Sequence, residues 1–167
     1  MPNKITALIL SAAVLSPAIA PWEADASTTT TASMGVTASI LPSCGVTALP
    51  LVFGIYSPTQ PGNTTAATTV AVTCTNGTPY NVGLNAGSGS GATVTTRILT
   101  SGSNTLTYSL YSDSGYSTLW GNTIGTNTVT GTGTGLAQTI NVYGSINALQ
   151  AVPAGIYTDS ITVSLTY

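Results

Sequence analysis

Thr30-Thr31-Ala32-Ser33-Met34-Gly35-Val36-Thr37-Ala38-Ser39-Ile40-Leu41 alternates apolar and polar side chains from Met34 onward. Met34, Val36, Ala38 and Ile40 fall on one side; Ser33, Gly35, Thr37 and Ser39 fall on the other. A period of two is the mark of a strand with one face to bury. Only Pro42 and Ser43 separate this stretch from Cys44, where a longer strand-rich region begins. A strand at the outer end of a domain, free to pair, suggests a segment made to be buried in another molecule.

Upstream, Lys4 precedes an apolar run over residues 5–20 that is broken by Ser11 and Pro17. Such a run is too short and too interrupted for a membrane anchor and reads as a signal peptide over residues 1–26. Ala18-Ile19-Ala20 and Ala24-Asp25-Ala26 both fit a small-residue cleavage site. The second is preferred, because Pro21 follows the first. Cleavage after Ala26 leaves 167 − 26 = 141 residues, a size for one domain. No later segment is long and apolar enough to span a bilayer, so no membrane insertion is expected.

Past residue 26 the only charged side chains are Arg97, Asp113 and Asp159, and histidine, lysine and glutamate are absent. Nucleic-acid binding needs clustered lysine and arginine, so it is not expected. The apolar residues are plentiful and patterned, which argues against disorder. A chain with net charge near zero tends to associate. Cys44 and Cys74 are the two cysteines. In an exported protein an even pair reads as a disulfide. Free or metal-binding thiols fit less well, because no histidine or second pair accompanies them.

β-branched and aromatic runs divided by Gly, Asn, Ser and Pro turns predict an all-β domain. Strands are expected over residues 46–56, with Pro50 at a bend or edge, and over 68–74, followed by an Asn76-Gly77 turn. Further strands are expected over 80–84, 95–99, around Leu106, Tyr108 and Leu110, over 136–146 and over 157–167. Gly87 to Gly91 reads as a flexible loop, and residues 122–135 as a connection with room for a short strand. Ile161, Val163, Leu165 and Tyr167 share one face of the last strand, and the chain ends there without a further strand to cover it.

Several segments, in order, carry a family resemblance: Cys44-Gly45-Val46, Leu51-Val52-Phe53-Gly54-Ile55-Tyr56, Val70-Ala71-Val72-Thr73-Cys74 and Leu106-Thr107-Tyr108-Ser109-Leu110-Tyr111. Trp120-Gly121, Val142-Tyr143-Gly144 and Ala154-Gly155-Ile156-Tyr157-Thr158-Asp159-Ser160-Ile161-Thr162-Val163 follow. Together they resemble the spore coat protein U domain, shared by archaic chaperone–usher pilus subunits and a secreted spore-coat protein. The resemblance implies an incomplete immunoglobulin-like β-sandwich of pilin type over residues 44–167, with residues 27–43 as an N-terminal donor strand. It implies a periplasmic chaperone, an outer-membrane usher and identical or related pilus subunits as partners, and a place on the cell surface in a fibre that supports adhesion and biofilm formation. In that frame Met34, Val36, Ala38 and Ile40 are the donor plugs. Ile161, Val163 and Leu165 line the acceptor groove or the chaperone-paired edge. The alternative is a secreted coat or matrix protein, or a single-domain adhesin.

An enzyme is not expected, and neither a catalytic residue, a cofactor nor a metal site is assigned. Acid–base work needs positioned titratable groups, and Asp113 and Asp159 read better as turn or surface residues. No serine or threonine has an evident base beside it. The Gly87–Gly91 run lacks the lysine of a phosphate loop. Arg97 either pairs with an aspartate or stands exposed, and the exposed reading is preferred. Trp120 and Tyr111 read as core or interface packing ahead of a ligand platform. Gly35 marks either a close backbone approach or local flexibility.

Overall fold

The computed structural model describes residues 27–167; the signal peptide assigned to residues 1–26 lies outside them. The chain divides into two units at Ala38 and Ser39. In the first, residues 27–38 carry no regular secondary structure, and Met34 and Val36 are exposed.

The second unit contains eight strands and, among the described residues, no helix. They are β1 (Cys44–Ala48), β2 (Thr64–Cys74), β3 (Pro79–Leu84), β4 (Arg97–Ser101), β5 (Asn104–Tyr111), β6 (Val129–Thr132), β7 (Ala137–Ile146) and β8 (Val163–Thr166). One sheet has the order β1-β2-β7-β5-β4, the other β6-β3-β8, and every ladder is antiparallel. This is the incomplete immunoglobulin-like sandwich expected.

The period-two pattern explains the core. Val70 and Val72 of β2, Val82 and Leu84 of β3, Leu106, Tyr108 and Leu110 of β5, and Val142 and Ile146 of β7 are all buried. The residues between them are mostly less buried: Thr69, Ala71, Asn81, Thr107, Ser109 and Tyr143 are half-buried and Thr73 and Asn141 exposed, while Ser145 is buried. Trp120 is completely buried and donates its indole N–H to the Val82 carbonyl at 2.9 Å, so it is a core residue. Gly144 of β7 lies beneath Leu51 and Phe53; a Cβ there would collide with both side chains. A glycine at that position lets residues 49–56 pack down on the sheet.

Cys44 and Cys74 face each other across β1 and β2 and are disulfide-bonded. Closing a loop of that length stabilises by about 3–4 kcal/mol in the chain-entropy model.

Three expectations change. The strand expected over residues 46–56 stops at Ala48: Leu49 N still donates to Thr69 O, but Pro50 has no N–H and residues 49–56 have no ladder partner. The strand expected over residues 157–167 shrinks to β8, preceded by a single bridge from Thr158 to Thr100. Arg97, preferred as exposed, is completely buried.

Candidate acceptor groove

Residues 49–56 and 152–163 run along opposite sides of an opening between the sheets. Each alternates. Leu51 and Phe53 turn inward while Val52 stays exposed; Tyr157, Asp159, Ile161, Val163 and Leu165 are half-buried while their intervening neighbours are exposed. Between them lies a groove of about 400 Å³ whose walls are Leu49, Leu51, Phe53, Ile161 and Val163, and whose floor includes Val70, Leu84, Leu110 and Val142. It continues into a second hollow of about 670 Å³ lined by Ile55, Leu106, Ile146, Val152, Ile156 and Tyr157, sharing Leu51, Phe53 and Leu99 with the first. The floor residues Val70, Leu84, Leu110 and Val142 are core side chains, each under 5% exposed.

Beside this opening, β8 pairs with β3 alone among the described residues. Its other edge presents unpaired N–H and C=O groups, a template for one more strand. Of the residues assigned to the groove from sequence, Ile161 and Val163 line it, while Leu165 packs against the core further along β8. Met34, Val36 and Ile40 are each more than four-fifths exposed. Residues 27–43 form no strand.

Sequence reading missed the opposite wall. Leu51 and Phe53 were not assigned to the groove, although their alternation around Val52 was visible; nor were Leu99 of β4 and Tyr157 on the nearer side. It also missed what holds the wall in place. Asp159 lies in the groove lining and accepts hydrogen bonds from Ser88 N (2.7 Å), Ser88 Oγ (2.8 Å), Ser160 N (2.7 Å) and Tyr108 Oη (2.7 Å). Gly87, at φ 89°, brings the 87–91 loop close enough for the Ser88 contacts; a Cβ at Gly87 would strike the carboxylate. Burial opposes ionisation of Asp159, but donors from Ser88, Tyr108 and Ser160 outweigh it and hold the carboxyl below the ordinary range. Burial, with the Asp159 hydrogen bond and charge, pushes the Tyr108 phenol well up, so it stays a donor.

Arg97 of β4 braces the same end from inside. Its Nε donates to Asn85 O (2.9 Å), Nη1 to Val94 O (2.9 Å), and Nη2 to Leu84 O (3.0 Å) and Trp120 O (2.7 Å). Burial lowers its pKa, offset by Tyr108 and the Asp159 carboxylate. The guanidinium fork thus ties β3, the 94–97 corner and the Trp120 segment together.

Asp113 is a turn residue. It accepts from Gly115 N, Ser117 N and Oγ, and Thr118 N, and these donors, Thr118 N foremost, hold its carboxyl below the usual range. Both aspartates therefore have depressed folded-state pKa values. Such groups add stability above the ordinary carboxylate pKa near 4, and it is lost as pH falls through the lower folded value. We expect the urea midpoint to fall steeply below pH 4. In Asp159→Asn the slope should flatten; an unchanged slope would show that the carboxylate's hydrogen bonds do not contribute.

Among the described residues no group of three or more His, Cys, Asp or Glu could hold a metal, and no helix is long and apolar enough to cross a membrane. The arrangement is one of apolar walls and an unpaired strand edge.

Comparison with known proteins agrees with this geometry. The Spore Coat Protein U domain family model matches residues 30–164, and the chain belongs to that family. Protein U of Myxococcus xanthus is 37% identical over 87 residues, which is 51% of this chain and 48% of that protein. Among solved structures, a chaperone–tip adhesion subunit pre-assembly complex (CsuC–CsuE) from archaic chaperone-usher Csu pili of Acinetobacter baumannii matches with a TM-score of 0.56 at 22% identity. That match covers 77% of this chain and 40% of the other. The chain thus spans about half the length of its curated relative, and the structural likeness is one of fold.

Proposed function

We propose that this protein is a structural subunit of a surface fibre of the archaic chaperone–usher type, assembled by donor-strand exchange. The observation that carries the reading is the open groove beside the unpaired edge of β8. It sits in a chain whose residues 34–40 alternate apolar and polar. Met34, Val36, Ala38 and Ile40 of one copy enter the groove of the next, against Leu51, Phe53, Ile161 and Val163. Leu165 and the rest of β8 supply the paired edge. Full burial supplies roughly 1.5–3 kcal/mol for each of Met34, Val36 and Ile40, and Ala38 adds less. Each ladder hydrogen bond adds about 0.5–1.5 kcal/mol.

A periodic joint of this kind needs no cofactor, metal or reacting group, and the chain is read as a non-enzyme. Before assembly the groove exposes apolar surface, so a periplasmic chaperone covers it, and an outer-membrane usher exchanges chaperone for subunit. Residues 1–26 are the leader, 27–43 the donor extension and 44–167 the body. The fibre stands on the cell surface and supports adhesion and biofilm formation.

The test is expression with an archaic-class chaperone and usher. The chain should give ladders of polymers that resist SDS at room temperature. Val36→Asp with Ile40→Asp should abolish the ladder while leaving folded monomer bound to the chaperone. Ladders that persist in that variant would refute the donor assignment. The spore-coat name of the family favours a second reading, a secreted coat or matrix protein. It is distinguished by a body that is stable with no strand added.

A further inference from the structure

We propose that successive copies also meet through a second, apolar joint, in which the end of one body carrying Leu136 packs on the end of the next carrying Ile55, Leu149 and Ile156. This rests on the donor-strand reading and deepens it by defining how two bodies abut.

The argument begins with reach. Ser43 is tied to its own body: its N–H donates to Thr75 Oγ1 at 3.1 Å, and its carbonyl accepts from Thr75 N at 2.9 Å. From Ile40 to Cys44 is four residues, which extend no more than about 14 Å. A copy whose Ile40 sits in a neighbour's groove therefore holds its own body against that neighbour. The end brought into contact is the one at Ser43. It includes residues 133–136, because Gly77 N donates to Gly133 O (2.9 Å) and Gly135 N to Cys74 O (3.0 Å). Leu136 projects there, 73% exposed.

The acceptor end follows from strand direction. All ladders in the domain are antiparallel. A donor strand added antiparallel to β8 starts beside Thr166 and leaves by the end at residues 152–158. That end exposes Ile55 at 94%, Ile156 at 84% and Leu149 at 64%. Leu149 is held there against its backbone preference: its φ is 61°, in the left-handed region, which leucine rarely adopts. The next residue pins it, since Gln150 N donates to Tyr56 Oη (2.7 Å), and the Gln150 side chain accepts from Thr107 N (2.9 Å) and Thr107 Oγ1 (2.7 Å). A strained, anchored and exposed leucine is a side chain on display. No charged side chain lies in residues 49–63, 133–136 or 147–158, so the two ends meet without desolvating charge.

The test is disulfide trapping in polymers of the full chain carrying Leu136→Cys together with Ile156→Cys. Mild oxidation should link neighbouring copies, and neither single variant should do so. Ladders that form normally but stay unlinked overturn the joint and leave donor-strand exchange standing. Linking of Leu136→Cys to Thr166→Cys in place of Ile156→Cys also overturns it, since the donor then runs the other way. Absence of any ladder in the parent chain overturns donor-strand exchange and the joint together. As a second readout, Leu136→Asp should leave rescue of the groove by added donor peptide unchanged, yet speed polymer dissociation on the order of tenfold. Unchanged dissociation overturns the proposal.

Discussion

A chain lacking residues 27–41 should melt on the order of 10–20 °C higher when a Thr30–Leu41 peptide is added in excess, and the gain should vanish when Val36 and Ile40 of the peptide are aspartate. The reasoning is thermodynamic. A ligand that binds the folded state alone raises stability with its concentration over Kd. Here the ligand would cover Leu51, Phe53, Ile161 and Val163 and bring its own apolar residues out of water. Several kcal/mol of burial is expected from Met34, Val36 and Ile40. For a domain of this size each kcal/mol moves the melting temperature by a few degrees. The aspartate peptide would have to bring unpaired charge into an apolar trough, so it does not bind and the shift disappears. A truncated chain that already melts high, with no response to peptide, would mean that the body is complete as it stands. The coat or matrix reading would then replace the fibre.

Arg97→Ala should lower stability by about 3–5 kcal/mol, enough to leave a marginal domain largely unfolded in mild urea. The side chain is wholly buried and serves four carbonyls, of Leu84, Asn85, Val94 and Trp120. Removing it leaves these acceptors without their donor and leaves a cavity beside Trp120. Arg97→Lys should recover little of the loss, because an ammonium lacks the planar fork that reaches four oxygens at once. Urea unfolding of both variants measures this directly. A loss near 1 kcal/mol in Arg97→Ala would show that water replaces the guanidinium, and that the brace is not what holds the Asp159 end of the groove. The two experiments are linked. If the brace shapes the groove, Arg97→Lys should also weaken the peptide response.

Much of this was legible before any coordinates. Val70 and Val72, Leu106, Tyr108 and Leu110, and Ile161, Val163 and Leu165 reveal their inward faces by alternation alone, because a strand has a period of two. The Asn76-Gly77 turn is encoded locally, and Gly77 indeed has a φ of 80°. The two cysteines declare their pairing by number, being the one pair in the sequence, and they are disulfide-bonded. Ladder limits were not legible. Residues 49–56 look like the second half of a strand, but strand length is set by whether a neighbour lies alongside, and here none does.

Arg97 shows the deeper division. Its local sequence, Thr95-Thr96-Arg97-Ile98, gives no hint of burial, and a lone arginine is ordinarily on the surface. Burial became possible only because four carbonyls, spread over Leu84 to Trp120, converge on one point in the folded chain. Asp159 is similar: its donors come from Ser88, Tyr108 and Ser160, two of them more than fifty residues away in sequence. Sequence alone therefore determined the class of fold, the disulfide and the alternating faces, since these depend on local geometry and on hydrophobic period. Tertiary structure alone decided where the sandwich stays open and which polar groups hold the opening in shape, since both depend on long-range convergence that no local pattern records.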